Sequence, residues 1–336
     1  MQNTKFQTYR NYIALDWSKD IAAVASMRDS ASSPVKKHLP ADIRSLKAYL
    51  KSFKGSKILA IEETSTSHWL YVELFEWVDK ILVCDPYRNH LLKEGPKTDK
   101  LDAEKLCILL RNNSLKEVYH TMDKAYEIRK LVSVYQDFVN ASTRLKNQRS
   151  AIFRSEGKSA KEKECLNDSR IKEFITRKQV LTLEHHAEVK KEFEAMFKEI
   201  RKKNDIVKLL TSITGIADIN AVKLYSVVID ASRFETKYKY WAYCGLVKHL
   251  RQSGNVRYGM KTTRHNKTLK SVYRTAEIIT LNGTNDIRQF YEFLLQSGIG
   301  IVNAKNAIAR YIATSTLAMM KHKTEYRPYQ WRETKN

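Results

Sequence analysis

Tyr12-Ile13-Ala14-Leu15-Asp16-Trp17 decides how the first third of this chain is read. The apolar run Tyr12–Leu15 has the length of a buried strand and is too short for a helix. An aspartate stands where that strand should end. Outward from it, Ile21–Met27 reads as a second strand. Ala41–Phe53, after Pro40, has Ile43, Leu46, Tyr49 and Leu50 on one side and reads as a helix. Lys57–Ile61 is a strand closed by Glu62, His68–Val78 a short helix, and Lys80–Cys84 a strand stopped by Asp85-Pro86. Asp99–Arg111 is a helix behind the turn signal Gly95-Pro96. Strands alternating with helices predict an α/β domain with a mixed sheet that opens in a β-meander.

The rest of the chain changes character. Ile128, Leu131, Tyr135, Phe138, Ser142, Leu145 and Ile152 mostly follow three- and four-residue steps, as do Leu183, Ala187, Phe193, Phe197 and Ile200. Two long helices joined through Ser155–Ser169 fit either a coiled coil, antiparallel or between molecules, or two ordinary bundle helices. The last third reads as helical and basic. Thr214-Gly215-Ile216-Ala217 lies between two apolar stretches like the turn of a helix-hairpin-helix, which offers backbone N–H groups to phosphate. Asn266–Leu281 and Val302–Met320 read as helices. The expected fold is α/β followed by all-α, with domains at 1–120, 121–205 and 206–336.

Charge narrows the function. The 336 residues carry 60 Lys+Arg against 37 Asp+Glu, a net +23. The excess rises along the chain, from +4 over residues 1–120 to +6 over 121–205 and +13 over 206–336. From Thr236 to Ala276 there are ten Lys/Arg and no Asp or Glu, the footprint of a polyanion site. No apolar run approaches the ~20 residues that cross a bilayer. Residues 1–12 lack an apolar signal core, which argues against a secreted protein and for a cytoplasmic one. Cys84, Cys107, Cys165 and Cys244 stand far apart, without a zinc or disulfide spacing. A G-x-x-x-x-G-K motif and a His-x-x-Arg motif are both absent, which removes P-loop motors and argues against tyrosine recombinases.

Four carboxylates stand out against this basic background. Asp16 and Glu62 end two strands, and Asp99 and Asp102 sit at i and i+3 near a helix start, facing one way. Each has an ordinary alternative as a turn residue, a helix cap or an ion-pair partner of Lys105. Taken together, carboxylates from two strand ends and one helix face suit hard divalent cations, Mg²⁺ or Mn²⁺. Two such ions about 4 Å apart stabilise the attacking and leaving oxygens of phosphodiester chemistry. That is the ribonuclease-H-like plan.

Ile13-Ala14-Leu15-Asp16-Trp17-Ser18-Lys19 resembles the opening motif of the DEDD transposases of bacterial insertion sequences, a group that includes the Piv-type DNA invertases. Ile61-Glu62-Glu63-Thr64 resembles the group's second motif. Asp85-Pro86-Tyr87-Arg88-Asn89 and Lys97-Thr98-Asp99-Lys100-Leu101-Asp102-Ala103 resemble the third and fourth. Thr214-Gly215-Ile216, Phe234, Trp241–Leu246 and Gln252-Ser253-Gly254 follow in the family's order. The resemblance implies a RuvC-like N-terminal domain with metal ligands Asp16, Glu62, Asp99 and Asp102. It also implies a C-terminal transposase domain with Ser253 as nucleophile, and strand cleavage through a covalent phosphoserine. Partners implied are element-end (donor) and target DNA, a structured non-coding guide RNA, and further copies of the chain in a homo-oligomer with composite sites. Three departures are His265 where the family usually has Gly, Ala217 closing the Gly turn, and Thr64-Ser65 after the glutamate motif.

Arg251, Arg257, Lys261, Arg264, Lys267, Lys270 and Arg274 surround Ser253 in sequence and are candidate nucleic-acid contacts. A serine hydroxyl needs activation, and the nearest histidine, His249, is four residues away. Two other functions compete with the recombinase. A RuvC-like nuclease of branched DNA would need the carboxylates and not Ser253. A non-catalytic RNA- or DNA-binding protein would use the charge and the 18 tyrosines alone.

Overall fold

The computed structural model describes residues 8–86, 99–122, 125–161 and 163–328, with the side chains of 99–101 left outside that description. The chain divides into two compact units, Met1–Asp123 and Lys124–Asn336.

Unit one is built on a five-stranded sheet in the order β3-β2-β1-β4-β5. Its strands are β1 (Asn11–Trp17), β2 (Ile21–Arg28), β3 (Val35–Pro40), β4 (Lys57–Glu62) and β5 (Lys80–Cys84). The first three form an antiparallel meander, while β4 runs parallel to both β1 and β5. This mixed sheet with helices is consistent with a ribonuclease-H-like domain. The sheet is covered on both faces, which explains why β1 reads as an unbroken apolar run. Ile13 and Leu15 pack with Leu46 and Leu50 of α1 (Ile43–Lys51) and Leu70 and Leu74 of α2 (Ser67–Leu74). Tyr12 and Ala14 pack on the opposite face with Ala103, Leu106 and Leu110 of α3 (Asp99–Arg111). The third strand of the meander has no apolar signature. Val35, Lys36, Lys37 and His38 are exposed and only Leu39 is buried, as suits an edge strand guarded by lysines.

Unit two starts with α4 (Ala125–Ser155) and α5 (Arg170–Lys203). They pair antiparallel within the chain, Tyr135 lying edge-on to Phe197 at 5.1 Å and Phe138 against Phe193 at 5.6 Å. The pair is also part of a bundle. Val132, Tyr135 and Phe197 share one core with Leu210, Leu224, Leu269 and Ile308. Those residues come from α6 (Asp205–Leu210), α7 (Asp218–Val228), α9 (Lys267–Asn282) and α11 (Ile301–His322). α8 (Lys237–Tyr243) and α10 (Asp286–Gln296) complete the helices. Inside the bundle, three buried hydroxyls form a chain, Tyr240 to Tyr273 at 2.6 Å and Tyr273 to Thr316 at 2.8 Å. Buried hydroxyls must find partners, and these find one another.

The Gly215 turn between α6 and α7 has a packing explanation. Its φ is +90°, and a Cβ there would lie 2.7 Å from the Ala276 carbonyl oxygen and 2.9 Å from Thr280 Cγ2. The missing side chain lets the turn press against α9. Gly215→Ala is therefore expected to destabilise unit two by about 3 kcal/mol, combining left-handed backbone strain with a backbone clash. Urea unfolding reads this as a lowered midpoint, and an unchanged midpoint would refute the packing role.

None of the four cysteines is paired in a disulfide. Cys84, Cys107 and Cys244 are buried and Cys165 is half-exposed. Burial pushes the Cys107 thiol up to about 12 and the Cys244 thiol well above its usual range. The thiolate is the reactive form, so a disulfide reagent at pH 8 is expected to titrate Cys165 alone in the folded protein and four thiols in denaturant. Fast labelling of Cys107 would contradict the packing of α3 on the sheet.

Candidate active site and nucleic-acid surface

The strand register of unit one brings two of the candidate carboxylates together. β1 and β4 pair in parallel with Leu15 opposite Ile61, so Asp16 and Glu62 stand one residue beyond, side by side at the C-terminal strand ends. Side chains alternate across a sheet, which puts Asp16 on the face of Tyr12 and Ala14, and Glu62 on that of Ile58 and Ala60. This is the face that α3 covers. Both carboxylates are half-buried. Within α3, Ala103, Leu106 and Leu110 pack on the sheet, and half-buried Asp102 adjoins Ala103 at the N-terminal end of that stripe. Asp99 is the first residue of α3; its side chain, and motif residues 87–98, lie outside the described residues. Trp17, alternating to the other face, meets Trp69 edge-on at 5.5 Å.

By donor type this set fits a hard divalent cation, since all its oxygens are carboxylate. Among the described residues, no three His, Cys, Asp or Glu side chains close around one metal position. Asp16, Glu62 and Asp102 would hold the ion, which when bound supplies charge neutralisation to a phosphodiester.

Unit two holds a correction to the all-helical expectation. The basic stretch around Ser253 folds as a two-stranded antiparallel ribbon, β6 (Lys248–Ser253) and β7 (Val256–Thr262). Ser253 ends β6, and Gly254, at φ +56°, opens the two-residue turn to Val256. A glycine is required at such a hairpin position. Gln252 Nε2 donates to the Gly254 carbonyl oxygen at 2.8 Å, tying the turn to its strand. His249, Arg251 and Ser253 alternate onto one face of β6, with Lys261 paired opposite His249. The register breaks at Arg251/Gln252, where Tyr258 is the extra residue of a bulge. Arg251, Arg257 and Lys261 are exposed on the ribbon, and Arg264 is exposed just after it.

On α9, Lys267 is exposed and Lys270 half-exposed. Arg274 on the same helix differs. Its guanidinium binds Glu277 at 2.8 Å and also Asn306, and the Glu277 side chain is only 5% exposed. Arg274 thus neutralises a buried carboxylate, a task that sequence spacing does not reveal. His265 also has a packing account. Its ring occupies the space a Cβ on Gly245 would need, 2.5 Å away, and its Nδ1 donates to the Thr263 carbonyl oxygen at 2.7 Å. The larger residue at 265 is therefore accommodated by the bare backbone at 245.

Family comparison now adds to the geometry. Residues 13–156 match the DEDD transposase profile of the IS110 type, and residues 207–292 match the transposases of the IS116/IS110/IS902 family. A carboxylate-bearing mixed-sheet unit and a basic helical unit, each matched in this way, define a transposase. The chain belongs to the IS110 family of DEDD transposases. Membership implies DNA binding, DNA cleavage and rejoining, and use of a divalent metal. A comparison with curated proteins found no match. No helix among the described residues is long and apolar enough to cross a membrane.

Proposed function

We propose that this chain is an insertion-sequence recombinase that cleaves and rejoins DNA through a phosphoserine, with Mg²⁺ or Mn²⁺ at Asp16, Glu62, Asp99 and Asp102. The observation that carries the metal half is the neighbouring pair Asp16 and Glu62 on the α3 face of the sheet. For the serine half, support comes from the placement of Ser253 at an exposed strand end, with Arg251 on its face of the ribbon. In the proposed step, Ser253 Oγ forms a bond to phosphorus, one DNA oxygen leaves, and the hydroxyl proton passes out as that oxygen takes one up. The bond energy is kept for rejoining. Arg251, Arg257, Lys261, Arg264, Lys267 and Lys270 hold nucleic-acid phosphates in this reading. A guide RNA and a homo-oligomer belong to it as well, supported by the net +23 and the family motifs. Insertion and Piv-type inversion share this chemistry.

A denaturing gel tests the proposal. The protein is mixed with RNA from its own locus, labelled element-end DNA and Mg²⁺. A DNA species retarded by bound protein, and released by protease, is the expected result. Cut ends free of protein would instead favour the RuvC-like nuclease, which leaves the metal half standing and removes the serine half.

A further inference from the structure

The β6–β7 ribbon carries more than a serine. Every residue from Lys248 to Lys261 is exposed, so the ribbon has no core of its own. A lone two-stranded hairpin is marginal in water, and apolar groups on it are costly to leave wet. Yet Leu250, Met260, Val256 and Tyr258 are 45%, 59%, 56% and 60% exposed.

The register sorts its side chains. Lys248 and Thr262, Leu250 and Met260, and Gln252 and Arg257 pair on one face; His249 and Lys261, Arg251 and Gly259, and Ser253 and Val256 pair on the other. The middle of the first face thus holds an apolar pair, the kind of group that contacts the thymine methyl. The second face holds cations, which suit phosphate. No acidic residue interrupts the stretch Thr236–Ala276, so the ribbon is complementary to DNA in charge on both faces. Size agrees too. A six-residue strand spans about 20 Å, and a two-stranded ribbon fits the B-DNA major groove, about 12 Å wide. The major groove of A-form RNA is too deep and narrow to admit it.

We propose that the β6–β7 ribbon inserts into the major groove of duplex DNA and reads base pairs with its Leu250–Met260 face. The inference rests on the nucleic-acid reading above but not on the role of Ser253. The ribbon gives the chain a sequence preference of its own, separate from any preference written in RNA.

Purified full-length protein without RNA is incubated with duplexes randomised over one helical turn, and the bound fraction is sequenced. Wild type is expected to enrich a short thymine-containing motif by about tenfold over its single-base variants. Replacing those thymines by deoxyuridine, which lacks the methyl group, is expected to remove most of that enrichment. The double variant Leu250→Ser/Met260→Ser should bind all sequences alike, with the salt dependence of wild type, because its phosphate contacts remain. Circular dichroism checks its fold, which these exposed positions leave intact. A wild-type protein that binds duplex without preference overturns the inference, as does a motif that persists in the double variant. So does a double variant that keeps the motif but loses self-association in light scattering, since the face then meets a second copy. Absence of salt-sensitive binding to any duplex would defeat the nucleic-acid reading itself, a different result from binding without preference.

Discussion

Ser253→Ala is expected to lose the protease-sensitive DNA adduct entirely and to lower recombinant product by about a thousandfold or more, the scale for removing a covalent nucleophile. The substitution deletes one oxygen from an exposed residue at the end of β6, so it leaves no cavity. Stability should stay within about 0.5 kcal/mol of wild type, as for other surface changes. DNA binding should also persist, because Arg251, Arg257 and Lys261 are untouched. That pattern, binding kept and chemistry lost, separates a nucleophile from a turn residue. Gly254 with Asn255 already provides the hairpin turn, so the turn does not need the Ser253 hydroxyl. A gel in which Ser253→Ala still forms adduct would assign the nucleophile elsewhere. Protein-free cleavage at the wild-type rate would assign the chemistry to water.

Much of unit one is legible in the sequence because its sheet is buried on both faces. Such strands announce themselves as apolar runs, and β5 is read to the residue as Lys80–Cys84. Asp16 and Glu62 are visible for the same reason: a carboxylate that ends a buried run is conspicuous. The strands that sequence reading missed lack a buried face. β3 exposes all but Leu39, and the ribbon exposes nearly everything, so neither shows the alternation that marks a half-buried strand. Charge and the Gln252-Ser253-Gly254 motif drew attention to the ribbon, and neither says anything about pairing. The α4–α5 pair is legible as helices, but its partner is not. Apolar stripes give a period, and only the contacts of Tyr135 and Phe138 with α5 decide that the pair closes within the chain. Arg274 shows the same limit in reverse. On a helix with Lys267 and Lys270 it looks like one more phosphate contact, until Glu277 and Asn306 are seen to hold it.

Asp16→Asn is expected to lose stabilisation by Mg²⁺ together with strand cleavage, and this is the strongest test of the metal half. Asp16 and Glu62 stand on adjacent parallel strands, whose backbones are about 5 Å apart, with both side chains half-buried. Side chains so placed can share one bound cation. A ligand that binds only the folded state stabilises it by about 2.7 kcal/mol at a hundred times its dissociation constant, so wild type should gain several degrees. Asp16→Asn, short of one ligand, should gain little. Strand cleavage should fall by about a thousandfold or more in the same variant, with Glu62→Gln behaving alike, since each removes an oxygen that positions charge opposite the phosphate. Equal Mg²⁺ stabilisation of wild type and both variants would mean that the cation binds elsewhere. Cleavage that continues in EDTA would mean that the paired carboxylates serve the fold and not the reaction. A pair that only supported the fold would leave the Mg²⁺ response unchanged when one carboxylate is neutralised, so joint loss of Mg²⁺ stabilisation and cleavage separates a metal site from an ordinary strand-end pair.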